Sequence, residues 1–192
     1  MGDKTPRDRR AEFEATALPL MQGVYNFALR LTRKPEDARD LVQEAYLRAY
    51  RTFGNFRPGT NAKAWLFTIL YSVFVNKYRK EQREPAMVSV EELVDELPDA
   101  AQAPDSAAFP IAASSLAWAE PEVGAALRQL PESFRWAVLL VEVDELSYEE
   151  AASVLNCPVG TVRSRLFRAR KSLSVALADY ARRAGYGGRE PA

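Results

Sequence analysis

Residues 146–173 read LSYEEAASVLNCPVGTVRSRLFRARKSL, and the fold turns on them. Leu146, Tyr148, Ala151, Ala152 and Leu155 recur at helical spacing, so one face of the first half seeks burial. Asn156-Cys157-Pro158 interrupts that pattern, and Pro158 is tolerated only in the first turn of the next helix. In the second half Val162, Leu166, Ala169 and Leu173 share one stripe. Arg163, Arg165, Arg168, Arg170 and Lys171 lie off it, and no acidic residue occurs from Gly160 to Leu173. A packed helix, a tight break and a cationic second helix form the layout of a helix-turn-helix, whose second helix enters a DNA groove. An amphipathic hairpin with a solvated basic face has the same outline. The turn length, the small Ala151-Ala152 pair that permits close crossing, and the five-to-zero charge bias favour DNA.

The rest of the composition narrows the class. The chain has 192 residues, 47% hydrophobic and 27% charged, as in ordinary soluble proteins. No apolar run approaches the roughly 20 residues that span a bilayer. The charged start, MGDKTPRDRRAEFE, lacks the apolar segment of a secretory signal. One cysteine, Cys157, excludes an internal disulfide and makes the cytoplasm the default location. There is no histidine, no metal-ligand spacing, no P-loop and no glycine-rich phosphate cradle, so no enzyme, metal site or cofactor is expected.

Net charge is zero, yet the charges are segregated. Residues 1–84 carry 16 basic and 10 acidic groups, and residues 123–192 carry ten basic and eight acidic. Residues 85–122 carry eight acidic groups and no basic one. Such segregation speaks of partners rather than of fold. The middle, rich in Ala, Pro, Ser and acid, reads as a linker over 85–121 with one short helix near Val90–Leu97. It separates a domain over 1–84 from one over 122–192.

The first domain reads as all-helical. Leu20, Val24, Phe27 and Leu31 keep helical spacing, and Pro35-Glu36-Asp37 opens the next helix. There Ala38, Leu41, Val42, Ala45 and Ala49 form a stripe continued by Phe53. The opposite face carries Arg39, Asp40, Gln43, Glu44, Leu47, Arg48 and Arg51, where a leucine among charges suggests a partner surface. Gly54–Gly59 is a loop, and Asn61 is the expected N-cap of a long helix, AKAWLFTILYSVFVNKYRKEQR. The aromatic and cationic residues around that loop and helix suit single-stranded nucleic acid, with bases on rings and phosphates on cations. Trp65, Ile69 and Val73 are read as core. The second domain reads as a compact four-helix module from Pro121, through FRWAVLLVEVDEL, into the opening motif. Ala137–Val143 is assigned to helix from its neighbours, and only a tail is expected after Leu173.

Four strings, DARDLVQEAYLRAYRTFGNF, FRPGTNAKAWLFTIL…NKYRK, LPESFRWAVLLVEVDELSYEEAASVL and NCPVGTVRSRLFRARKSL, resemble the extracytoplasmic-function sigma factors of the sigma-70 family, in order and spacing, over about 130 residues. FRPGTNAKAWL also resembles the subgroup held by zinc-containing anti-sigma proteins. The resemblance implies an all-α factor with two small helical domains on a flexible acidic linker. It would bind core RNA polymerase and promoter DNA and be held by an anti-sigma factor, without membrane insertion. Asp40, Leu41, Gln43, Glu44, Leu47 and Arg48 would dock on the clamp helices of the largest polymerase subunits, while the second domain meets the flap. Asn55, Phe56, Arg57, Asn61, Lys63, Asn76, Lys77, Arg79 and Lys80 would take the melted −10 element, one base flipped into a loop pocket. Thr161, Arg163, Ser164, Arg165 and Arg168 would read the −35 major groove, and Arg170 and Lys171 would contact phosphates. The acidic linker would mimic RNA in the polymerase cleft. A stand-alone helix-turn-helix regulator explains the last motif alone.

Overall fold

The computed structural model describes residues 6–83 and 119–186, and side chains over 7–77 and 119–186 of these. Among the described residues the structure is helical, without strands. The expected helix near Val90–Leu97 and most of the acidic linker lie outside them. The helices fall into two regions.

In the first, α1 (Pro6–Ala17) leads through a 3-10 turn (Leu18–Leu20) into α2 (Met21–Thr32), α3 (Pro35–Thr52), a second 3-10 turn (Phe53–Asn55) and α4 (Ala62–Arg83). Pro19 lies within the first 3-10 turn, separating α1 from α2. The α2–α3 connection is two residues long because Arg33 adopts a left-handed conformation (φ 65°), and its N–H donates to the Leu29 carbonyl. Pro35 then starts α3 with Glu36 and Asp37 in its first turn, complementing the helix dipole.

Each of these helices spends one face on a shared core. Val24, Phe27, Ala28 and Leu31 of α2 meet Ala38, Leu41, Ala45 and Ala49 of α3 and Leu66, Phe67, Leu70 and Val73 of α4. Phe27 and Phe67 stack at 4.3 Å, with Arg30 5.7 Å from the first ring centroid and Lys63 5.5 Å from the second. Trp65 and Ile69, read as core, are only half-buried. α1 is fastened by Arg9, which donates to the Tyr50 and Arg51 carbonyls at the end of α3 (3.4 and 3.0 Å).

In the second region, α5 (Pro121–Gln129) and α6 (Glu132–Val138) precede a π-helical turn (Leu139–Val143), α7 (Tyr148–Leu155), α8 (Val159–Ala176) and a short α9 (Ala178–Arg183). Ala137–Val143 is helical as expected, but it widens into π geometry, with the Asp144 N–H reaching the Leu139 carbonyl. The expected tail is corrected. Nothing after Leu173 breaks the helix before Leu177, so α8 runs on, and α9 follows until Gly185 (φ 78°), with Arg183 3.5 Å from Glu122 of α5.

The α5–α6 corner is held by Arg135, which is buried. Its guanidinium donates to the carbonyls of Leu127 (2.7 Å), Arg128 (2.8 Å) and Leu130 (2.8 Å) at the end of α5, where helical carbonyls run out of i+4 partners. The charge also sits at the negative end of the α5 dipole. Replacing Arg135 with Ala removes three hydrogen bonds from the α5–α6 corner, leaving Leu127 only its bond from the Leu130 N–H, and the expected loss is about 3 kcal/mol, read by chemical denaturation of the full chain.

Candidate polymerase and nucleic-acid interfaces

The helix-turn-helix is built from α7 and α8. Ser147 and Glu150 form a reciprocal cap at the start of α7: the Glu150 N–H donates to the Ser147 hydroxyl (3.2 Å), and the Ser147 N–H donates to the Glu150 carboxylate (2.7 Å). Asn156 closes α7 in a left-handed conformation (φ 48°), which Asn tolerates better than most residues. Pro158 is the residue just before α8, and its carbonyl accepts from the N–H groups of Thr161 and Val162. Val162, Leu166 and Ala169 are buried, which fixes the rotation of α8.

At about 100° per residue, the face opposite this stripe centres on Ser164, Phe167 and Lys171. Arg168 and Thr161 border it on one side, and Arg163 and Arg170 on the other. The predicted readers therefore separate. Ser164, Arg168 and Lys171 are exposed, whereas Thr161 and Arg165 are half-buried. Arg163 lies 3.7 Å from Glu149 and 6.0 Å from the Tyr148 ring centroid. The Nε of Arg170 donates to Glu142 at 3.0 Å. The Glu142 carboxylate, then Tyr148, raises the affinity of Arg170 for its proton. Phe167, 71% exposed at the centre of this face, was missed by the sequence reading. Its signal was present, since a phenylalanine off the apolar stripe has no core to enter. A ring placed there can pack on a thymine methyl.

In the first region, α3 presents two adjoining strips. Gln43 and Leu47 line an open groove of about 820 Å³ between α1, α2 and α3, together with Phe13, Leu18, Met21 and Tyr25. Leu47 is 53% exposed, and Leu18 and Met21 are exposed beside it. Asp40 and Glu44 are exposed on the neighbouring strip, with Arg48 half-buried. Leu41 is corrected: it is buried in the core and supports α3 from behind rather than meeting a partner. In the groove, burial pushes the Tyr46 hydroxyl up to about 12, and it donates to the Ala17 carbonyl at 2.9 Å.

The loop between α3 and α4 is anchored at its base and open at its tip. Phe13 meets Phe53 edge-on (5.3 Å), Phe53 stacks on Phe56 (5.8 Å), and Phe56 meets Trp65 (5.0 Å). Arg57-Pro58-Gly59-Thr60 closes as a turn, with the Thr60 N–H donating to the Arg57 carbonyl; Gly59, its third residue, takes φ 87°, a left-handed value that glycine adopts without steric cost. Asn55 and Arg57 are exposed, and Phe56 is half-buried. The Asn61 side chain caps α4, its oxygen accepting from the N–H groups of Lys63 (3.0 Å) and Ala64 (3.3 Å). Lys63 is half-buried, with its ammonium 5.5 Å from the Phe67 ring centroid. Asn76 and Lys77 are exposed on α4, while the side chains of Arg79 and Lys80 lie outside the described residues.

Residues 19–84 match the family model for sigma-70 region 2, and residues 121–173 match that for sigma-70, region 4. The chain is 41% identical over 151 residues to the ECF RNA polymerase sigma factor EcfG of Rhodopseudomonas palustris, covering 79% of this chain and 77% of the relative. This chain belongs to the sigma-70 family, among the extracytoplasmic-function sigma factors. The sigma factor is also 35% identical over 177 residues to the RNA polymerase sigma-H factor of Pseudomonas aeruginosa, covering 92% of this chain and 91% of the relative. Among solved structures it is similar to the sigma factor RpoE, in complex with the anti-sigma factor NepR, from Bartonella quintana, with a TM-score of 0.59 and 31% identity over 87% of this chain and 97% of that one. Members of the family are transcription initiation factors that act with RNA polymerase. No described helix of this sigma factor is long and apolar enough to cross a membrane.

The cap that Asn61 provides can be separated from the contact with melted DNA expected of it. Asn61→Ser keeps a capping oxygen, whereas Asn61→Ala should cost about 1 kcal/mol of stability. If the carboxamide also meets the melted strand, permanganate reactivity at the −10 element falls in both variants, although only the alanine variant melts earlier.

Proposed function

We propose that this sigma factor joins core RNA polymerase through α3, takes the melted −10 strand at the α3–α4 loop and along α4, and reads the −35 duplex with α8. The observation that carries the reading is the face of α8 opposite its buried stripe. Ser164, Phe167, Arg168 and Lys171 stand exposed there, while Val162, Leu166 and Ala169 of the same helix are buried in the core.

The division of labour reflects the chemistry of the two regions. The groove edge of α3 offers an apolar contact, Leu47, beside Gln43, Asp40 and Glu44, a mixture suited to protein rather than to phosphate. The α3–α4 loop offers Asn55 and Arg57 around an aromatic base, suited to an unstacked nucleotide. In this reading residues 1–84 form the polymerase and −10 domain, residues 85–121 the acidic linker, and residues 122–192 the −35 domain, with the polymerase flap as its protein partner. The factor works in the cytoplasm, catalyses no reaction itself and serves a stress or envelope response. The anti-sigma partner in the Bartonella quintana complex supports a regulator of that class here.

Run-off transcription with purified core polymerase tests the division. Arg168→Ala is expected to lower promoter-specific transcripts by roughly 10-fold, the effect of a readout contact worth about 1–3 kcal/mol, while core binding is unchanged. Leu47→Glu is expected to lose core binding and all transcripts together. Loss of core binding in Arg168→Ala overturns the assignment, as does full activity in Leu47→Glu.

A further inference from the structure

Two of the five cations that mark α8 are held by acidic residues of the preceding elements. Glu142 projects from the π-helical turn to Arg170, and Glu149 projects from α7 to Arg163. Arg163 and Arg170 are seven residues apart and so lie one above the other on the helix. Tyr148 stands beside both: its ring centroid lies 6.0 Å from the Arg163 guanidinium, and it adds to Glu142 in raising the affinity of Arg170 for its proton. The result is a strip, Glu142–Arg170–Tyr148–Arg163–Glu149, along one border of the exposed face, while Arg168 stands on the other.

We propose that Glu142 and Glu149 are positioning residues that hold Arg170 and Arg163 in the unbound protein and suppress binding to duplex DNA of arbitrary sequence. The inference rests on the reading of α8 as the duplex-facing helix. A duplex of the wrong sequence offers mainly phosphates, and affinity for these grows with each cation that releases counterions from the backbone. A cation already paired with a carboxylate must exchange partners to make that contact, and the carboxylate left beside it repels the phosphates. A cognate sequence adds base-edge contacts that offset the exchange. The two acids therefore lower non-specific affinity more than specific affinity, which is how discrimination arises. All four charged side chains are more than 40% exposed, so their pairs are exchangeable rather than locked.

The test uses the full chain and a fluorescent random-sequence duplex, with anisotropy titrations between roughly 50 and 200 mM salt. Glu142→Gln and Glu149→Gln should each bind several-fold more tightly at the low end. Each should also steepen the dependence of log affinity on log salt by about one unit. Glu142→Asp keeps the charge and should restore the wild-type slope, which mere loss of packing would not do. Wild-type slopes in both glutamine variants overturn the proposal. Arg168→Ala and Lys171→Ala, measured alongside, report on the underlying reading. A shallower slope in these two, with unchanged glutamine variants, sinks the restraint alone. Unchanged slopes in all four variants sink the duplex-facing assignment of α8 as well.

Discussion

Burial of Val162, Leu166 and Ala169 sets the rotation of α8, and the arrangement of every group around it depends on that. A helix has one apolar stripe to give, and once it is spent the positions of its cations are no longer free. Ser164, Phe167 and Lys171 are turned outward as a consequence. Arg163 and Arg170 are brought to the border where Glu149 and Glu142 wait. The approach of α7 is fixed in turn by the Ser147–Glu150 cap at one end and the left-handed Asn156 at the other. A one-residue shift would rotate the face by about 100° and bury cations in place of leucine.

The same constraint organises α3. Its four small or buried positions, Ala38, Leu41, Ala45 and Ala49, pack closely on α2 and α4. The remaining perimeter divides between a groove lined with apolar groups and a charged strip. Leu47 is exposed because the stripe has already been filled, and an exposed leucine beside other apolar side chains marks a contact surface more than an isolated one does.

Much of this was legible in the sequence. The stripes of α3 and α8, the cap at Asn61, the break at Asn156–Pro158 and the family resemblance all rest on local patterns or on ordered motifs. What was not legible depends on long-range geometry. Nothing local says that Arg135 folds back on three carbonyls of α5, or that Glu142 meets Arg170 across 28 positions. The π turn also hid the first of these acids, because a simple helical period misplaces the residues within it. Leu41 fits both the stripe and a partner contact by spacing, and the burial of its side chain decides for the stripe. Phe167 was overlooked because it interrupts the charge pattern rather than continuing it. The tail after Leu173 was read from its composition, although no residue up to Leu177 forbids helix.

Promoter recognition in this account needs two separate readers presented by polymerase, with neither region sufficient by itself. Footprinting of one promoter fragment by the full chain, with and without core polymerase, measures this directly. The account predicts no protection by the chain alone, and protection of both the −10 and −35 blocks when core polymerase is added. Sequence-specific protection of the promoter by the chain alone would contradict it.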